Sequence, residues 1–157
     1  MILIADSSAL IALSICHSLD LLESLFGEVQ VPQAVFDEVT ISQKSESIEL
    51  AGYLKGKVKA VETNRYVYLD AYADAGETEA MILYKQIDAD WLLIDDKRGR
   101  KVAAINKIKT IGSLGVLLTA KKKGLLTAVK PKLDLLAKSN LYLSATLRQA
   151  VLDMAEE

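Results

Sequence analysis

Residues 2–8, Ile-Leu-Ile-Ala-Asp-Ser-Ser, place a short apolar run directly before one acid and two hydroxyl side chains. An apolar run of this length is typical of a buried strand, and Asp and Ser are typical of the first residues of a helix. The pattern returns at residues 91–96, Trp-Leu-Leu-Ile-Asp-Asp. Strands that lead straight into helices predict β-α-β units, and therefore a parallel sheet.

Strands and helices alternate along the rest of the chain as well. Further strands are predicted at residues 29–31, 58–61 and 108–111. Helices are predicted at about residues 9–15, 18–26, 32–39, 42–56, 75–87, 97–105, 112–123, 131–138 and 144–155. No linker, repeat or low-complexity tract interrupts this alternation, so we expect an α/β fold in a single domain over residues 1–157.

The composition limits the chemistry that is available. Cys16 and His17 are each the only residue of their type, which excludes an internal disulfide and a zinc site with several cysteine or histidine ligands. A Ser-His-Asp triad would need His17, for which we expect a surface or capping role in a turn instead. With Cys16 alone a reducing cytoplasm is the natural setting. No apolar run approaches the roughly 20 residues of a membrane helix, so we expect no membrane partner.

The net charge of −2 conceals an uneven distribution of charges. From Lys97 to Lys132 the chain contains lysine and arginine but no acid, and nearly all the acids lie before this segment. A basic half beside an acidic half can place a polyanion-binding surface next to a cation site. The alternative is that these cations simply lie on solvated helix faces.

Acids follow two of the predicted strands at the point where each strand ends. Asp6 follows the first strand, and Asp95 and Asp96 follow the strand that begins at Trp91. Ligands bind at the carboxyl edge of an open parallel sheet, so we expect these acids to lie at one edge. Either position alone could be only a helix cap. Two carboxylates about 4 Å apart repel by roughly 4 kcal/mol, so such a pair takes up protons, meets lysines or binds a cation.

Hard oxygen ligands of this kind select Mg²⁺ or Mn²⁺, which activate water and neutralise a phosphodiester without any histidine. Two further positions are candidates. Glu38 lies at the border of the apolar stripe of its helix. Glu77 could instead be the capping-box partner of Asp74, and Glu79, two residues on, cannot share a helix face with it.

Four segments together resemble a known family. They are ILIADSSALIAL (2–13), LDLLESLFGEVQVPQAVFDEV (19–39), AGETEAMILYKQIDADWLLIDDKRGRKVA (75–103) and TIGSLGVLLTAKKKGLL (110–126). In their order and spacing they resemble PIN-domain proteins, and more narrowly the bacterial and archaeal branch similar to the VapC toxins. The resemblance covers residue 2 to about 136. It implies a three-layer α/β/α PIN-like fold, with a central, mainly parallel sheet flanked by helices.

The resemblance also implies a ribonuclease that depends on Mg²⁺ or Mn²⁺, with three or four acids around the metal. Its motifs match Asp6, Glu38, Glu77 and Asp95 as catalytic and metal-binding residues. Ser8 matches the small hydroxyl residue that supports the first acid.

This chain departs from the family pattern at two positions. Glu77 stands where many members have aspartate, so Glu79 could serve in its place. Lys97 stands where a second acid usually follows Asp95, which leaves Asp96 as the substitute. The fourth metal ligand therefore stays open among Glu77, Glu79 and Asp96.

The leading hypothesis is an endoribonuclease that cleaves single-stranded RNA and could be the toxin of a toxin–antitoxin pair, with a small antitoxin partner. By resemblance we expect a homodimer. The residues predicted to guide the RNA backbone are Lys97, Arg98, Arg100 and Lys101. The alternative is a catalytically degenerate PIN-like module that binds RNA or protein. A haloacid dehalogenase-type phosphatase would need a second aspartate where this chain has Ser8.

Overall fold

The computed structural model describes residues 1–41, 44–62, 74–141 and 143–157. The strands within these ranges are β1 (Ile2–Ala5), β2 (Glu28–Pro32), β3 (Val58–Lys59), β4 (Trp91–Leu93) and β5 (Thr110–Ile111). The helices are α1 (Ser7–Ile15), α2 (Asp20–Phe26), α3 (Gln33–Thr40), α4 (Ser45–Tyr53), α5 (Ala75–Gln86), α6 (Lys97–Ile105), α7 (Ser113–Lys122), α8 (Lys130–Ala137) and α9 (Ala145–Met154).

The five strands form one sheet in the order β3-β2-β1-β4-β5, and every neighbouring pair is parallel. The chain builds outward from β1 in one direction through β2 and β3, and then returns to the other side of β1 with β4 and β5. The strand order therefore reverses between β1 and β4, which is where open parallel sheets bind ligands.

Alternation along the strands divides the core between the two faces of the sheet. Leu3 and Ala5 of β1 pack in one cluster with residues of α1, α2 and α7. Ile4 of β1 and Leu92 of β4 point the other way and pack with residues of α5 and α6. Successive strand residues face opposite sides, so these fully buried side chains place a helical layer on each face. The predicted three-layer α/β/α architecture is confirmed.

Element boundaries account for the differences from the sequence-based expectations. The helix predicted to begin at Ser18 begins at Asp20, because the Ser18 hydroxyl donates a 2.9 Å hydrogen bond to the Cys16 carbonyl instead of capping the helix. The helix predicted at 42–56 spans 45–53 within the described residues, and residues 42–43 of that prediction lie outside them. The strands predicted at 58–61 and 108–111 are each two residues long, at the two edges of the sheet.

No single helix within the described ranges is long and apolar enough to cross a bilayer. The pair α1 and α2 passes by length and composition, but only as a broken span bent by 117°. His17, in the turn between these two helices, is exposed and has a left-handed backbone with φ of 52°. Its carbonyl oxygen accepts a 3.2 Å hydrogen bond from the Lys132 ammonium.

Candidate active site

Asp6 emerges from the end of β1, at the point where the strand order reverses. Its backbone N–H donates a 2.9 Å hydrogen bond to the Leu93 carbonyl of β4, which fixes the residue against the neighbouring strand. Asp6 occupies the N-cap position of α1, but its side chain makes no capping hydrogen bond. The residue is 4% exposed, and its Oδ1 atom has no hydrogen-bond partner in the part of the chain that the structure describes. A simple capping role therefore does not account for this carboxylate.

Burial raises the pKa of Asp6 to about 7. The Ser7 backbone N–H opposes this shift, and the carboxylates of Glu77, Asp74 and Glu38 add to it by repulsion. A buried acid surrounded by other acids is electrostatically costly when it is ionised, and such perturbed groups concentrate at functional sites.

A cavity of about 310 Å³ collects the predicted acids around Asp6. Its lining residues are Asp6, Ser7, Ser8, Glu38, Asp74, Glu77, Asp95 and Asp96. Glu79 does not line this cavity. Its Oε2 atom accepts a hydrogen bond from the Ala34 backbone N–H, 3.2 Å away at the start of α3. Residues two apart on a helix face different directions, so Glu79 lies apart from Glu77, and its role as a substitute ligand stays a prediction.

Glu77 combines a capping role with a place in the cavity. Asp74 caps α5 by accepting a 2.7 Å hydrogen bond from the Glu77 N–H, and Glu77 Oε2 accepts in return from the Asp74 N–H at 3.4 Å. Burial raises the pKa of Glu77 to about 7, with repulsion from Asp74, Asp96 and Glu38 adding to the shift. The predicted capping box is thus present, and it holds Glu77 among the other acids.

Gly99 of α6 allows the helix to approach Glu77 closely. A Cβ atom at position 99 would lie 2.5 Å from Ile94 Cδ1 and 3.1 Å from the Glu77 carboxyl carbon. The Gly99 N–H also donates a 2.7 Å hydrogen bond to Asp96 Oδ2, which makes Asp96 the cap of α6.

The two remaining acids are held by serine hydroxyls. Glu38 Oε2 accepts a 2.7 Å hydrogen bond from the Ser7 hydroxyl. Asp95 accepts two hydrogen bonds from Ser113 at the start of α7, one from the backbone N–H to Oδ1 and one from the hydroxyl to Oδ2, both of 2.7 Å. Charge-assisted bonds of this kind fix the orientation of a carboxylate.

The chemistry of the donor set suits a hard divalent cation, since it consists of carboxylate oxygens and includes one buried oxygen without a partner. Within the described ranges, however, no group of three or more acid, histidine or cysteine side chains is placed to hold an ion as it stands. Most of these carboxylates accept hydrogen bonds from protein donors instead. A carboxylate has lone pairs left after accepting such bonds, so Glu38, Glu77, Asp95 and Asp96 could each keep its donor while binding a cation together with Asp6.

The comparisons with known proteins agree with this geometry. A family model described as "PIN domain" matches residues 2–157. The chain belongs to the PIN-domain family. PIN domains are generally nucleases, and they typically use divalent metals. A search among curated proteins found no match.

The four cations predicted to bind RNA fall into two groups in this PIN domain. Lys97 and Arg100 line a second cavity, which adjoins the acids because Ser8 and Asp95 line both. Arg98 and Lys101 are exposed on α6 and line neither of these two cavities.

Three residues around the PIN-domain acids were not among the predicted site residues. Ser7 and Ser113 orient Glu38 and Asp95, and Asp74 lines the cavity in addition to capping α5. Ser113 follows β5 with only Gly112 between them, but a serine at a helix start is typical of an ordinary cap, so its position alone did not single it out. The same holds for Ser7, because Asp-Ser-Ser is equally typical of an ordinary helix start.

Proposed function

We propose that this PIN domain is a metal-dependent endoribonuclease that hydrolyses phosphodiester bonds in single-stranded RNA. The observation that carries the proposal is Asp6, a buried carboxylate with an unpartnered oxygen at the switch point of the sheet. Five further acids line the same cavity, and they are Glu38, Asp74, Glu77, Asp95 and Asp96. Membership of a family of nucleases supports the assignment of the reaction.

In this proposal Asp6 is the central ligand of Mg²⁺ or Mn²⁺, and Glu38, Glu77, Asp95 and Asp96 complete the set. A divalent cation bound there supplies charge neutralisation to the phosphodiester and lowers the pKa of a water molecule. The chain itself contributes the orientation of Asp95 through Ser113 and of Glu38 through Ser7. Ser8 supports the site from the junction of the two cavities.

The test is cleavage of a labelled single-stranded RNA by the purified protein in Mn²⁺ or Mg²⁺. We expect EDTA to abolish cleavage and Asp6→Asn to reduce it by at least about a hundredfold, equivalent to about 3 kcal/mol. Asp37→Asn is a matched control, because Asp37 is exposed and pairs with Gln33 on α3 at 2.8 Å. Cleavage that survives both EDTA and the Asp6 change would contradict the proposal.

We further propose a biological role as the toxin of a toxin–antitoxin pair, as a cytoplasmic homodimer that a small antitoxin protein holds inactive. The support is the resemblance of four segments to VapC-like proteins. Expression of the wild-type chain should then arrest growth, whereas expression of Asp6→Asn should not. Co-expression of a small protein from a neighbouring gene should relieve the arrest.

A second candidate function is a PIN domain that binds RNA or protein without cleaving. It is favoured by the absence, within the described ranges, of a preassembled group of metal ligands. Lys97, in place of the family's usual acid, also favours it. A binding module should show no Mn²⁺ affinity that is lost when Asp6 or Asp95 is changed.

A further inference from the structure

A second cavity, of about 710 Å³, begins where the acid cavity ends. Ser8 and Asp95 line both, so the two cavities adjoin at these residues. The end next to the acids also carries Lys97 and Arg100, and the rest is lined mainly by leucines of α7 and the C-terminal segment. The Ser8 hydroxyl at this junction is buried without a hydrogen-bond partner among the described residues. The junction thus combines two cations with an unsatisfied hydroxyl.

Arg100 is held in place by one edge of its guanidinium. Its Nε donates a 3.0 Å hydrogen bond to the Ile94 carbonyl, at the end of β4. Within the described part of the chain this is the only hydrogen bond of its side chain. Nη2 lies 3.9 Å from Asp95 Oδ1, beyond hydrogen-bond distance, and the side chain is 46% exposed. Its terminal amino groups are therefore fixed in position and still free to donate.

A role for Arg100 as the structural counterion of Asp95 does not account for this arrangement. Both oxygens of Asp95 already accept hydrogen bonds from Ser113 at 2.7 Å. A partly exposed ion pair without a hydrogen bond contributes little to stability.

The Arg100 guanidinium lies directly against the Gly112 backbone, in the space that a side chain at position 112 would occupy. A Cβ atom at position 112 would be 2.0 Å from Arg100 Nη2 and 2.9 Å from Asp95 Oδ1. Any side chain there would displace the guanidinium, so the glycine keeps this place open for Arg100.

We propose that Arg100 forms a phosphate-binding subsite beside Asp95 and that it binds the phosphate next to the one that is cleaved. The guanidinium presents a planar pair of donors that matches phosphate oxygens. Lys97 precedes Arg100 by three residues on the same face of α6 and adds a second charge. This inference rests on the proposed nuclease function. It means that Arg100, by binding one phosphate, determines which neighbouring phosphate of the RNA lies at the acids.

The test is binding of a short fluorescent single-stranded RNA to the full chain in EDTA, followed by anisotropy over a range of salt concentrations. Arg100→Ala should weaken binding about tenfold and lower the slope of log K against log salt by about one. Arg100→Lys should fall between Arg100→Ala and the wild type, since lysine keeps the charge but not the planar fork. Lys122→Ala is the matched control, because it removes one exposed cation at the far end of α7.

Gly112→Ala tests independently whether RNA binding depends on the position of the Arg100 guanidinium against Gly112. It should weaken binding in the wild type but add little in the Arg100→Ala background, because residues in direct contact are not additive. The subsite is overturned if the wild type binds no RNA, or if Arg100→Ala weakens binding no more than Lys122→Ala. Cleavage in Mn²⁺ is scored separately. If RNA binds through Arg100 but is not cleaved, the nuclease function is refuted and the phosphate-binding role of Arg100 stands. If Arg100→Ala cleaves RNA with an unchanged KM, the nuclease function stands and the role of Arg100 is refuted.

Discussion

Replacing Asp6 with asparagine should stabilise the metal-free protein at neutral and alkaline pH. Asparagine has nearly the shape of the native side chain but carries no charge. The ionised Asp6 carboxylate is buried and is repelled by Glu77, Asp74 and Glu38. Removing its charge relieves both costs. Functional sites commonly sacrifice stability in this way.

The magnitude follows from the pKa of Asp6, which burial raises from 3.8 to about 7 in the folded state. Each pKa unit corresponds to about 1.4 kcal/mol. Folded Asp6 holds its proton more tightly than unfolded Asp6, so its contribution to stability falls as the pH rises from about 4 to about 7. The penalty is about 2 kcal/mol near pH 5 and reaches about 4 kcal/mol near pH 8. The asparagine of the variant does not titrate, so the advantage of the variant should grow by about 2–3 kcal/mol between these conditions.

Urea unfolding in EDTA at about pH 5 and about pH 8 measures this difference directly. Asp37→Asn, an exposed change on α3, should not reproduce the growth. Saturating Mn²⁺ should reduce or reverse the advantage of the variant, because a ligand that binds only the folded wild type stabilises it. A difference between wild type and Asp6→Asn that stays constant with pH would refute the reasoning, as would a variant less stable than wild type near pH 8.

Three further substitutions separate the contributions of neighbouring groups. Ser113→Ala removes the hydroxyl bonded to Asp95 and should cost about 1–3 kcal/mol in urea unfolding, with a loss of RNA cleavage. Unchanged values of both would exclude the orienting role of Ser113. Gly99→Ala places a Cβ 3.1 Å from the Glu77 carboxyl carbon and should lower the free energy of unfolding by about 1–3 kcal/mol, measured by urea or thermal unfolding. A stabilised variant would contradict the observed close packing. Glu79→Gln should leave the Mn²⁺ affinity within about twofold of wild type by calorimetry, and a larger loss would return Glu79 to the ligand set.

The sheet and its functional edge could be predicted because they depend on local patterns. Apolar runs that end in Asp6 and Asp95 define two parallel strands, and parallel strands bring their carboxyl ends to one edge. The structure places the two strands side by side with the switch point between them. The capping box at Asp74 and Glu77 was also predictable, because its partners are three residues apart.

Contacts between distant segments could not be predicted in the same way. The hydrogen bond between Ser113 and Asp95 joins the start of α7 to the end of β4. The close approach of Arg100 to Gly112 joins α6 to the N-cap of α7. Neither leaves a periodic or local signal in the sequence, because both depend on how closely two helices approach the sheet. Glu79 shows the opposite limitation. Its distance from Glu77 along the chain is short, but its helix face directs it to the Ala34 N–H.

Calorimetric titration of the purified chain with Mn²⁺ near pH 8 tests most directly whether Asp6 is the central ligand of a divalent cation site. The wild type should bind Mn²⁺, and Asp6→Asn and Asp95→Asn should each weaken binding by at least about tenfold, equivalent to about 1.4 kcal/mol. Asp37→Asn should bind as the wild type does. Wild-type protein without measurable Mn²⁺ affinity, or affinity unchanged by Asp6→Asn, would contradict the account.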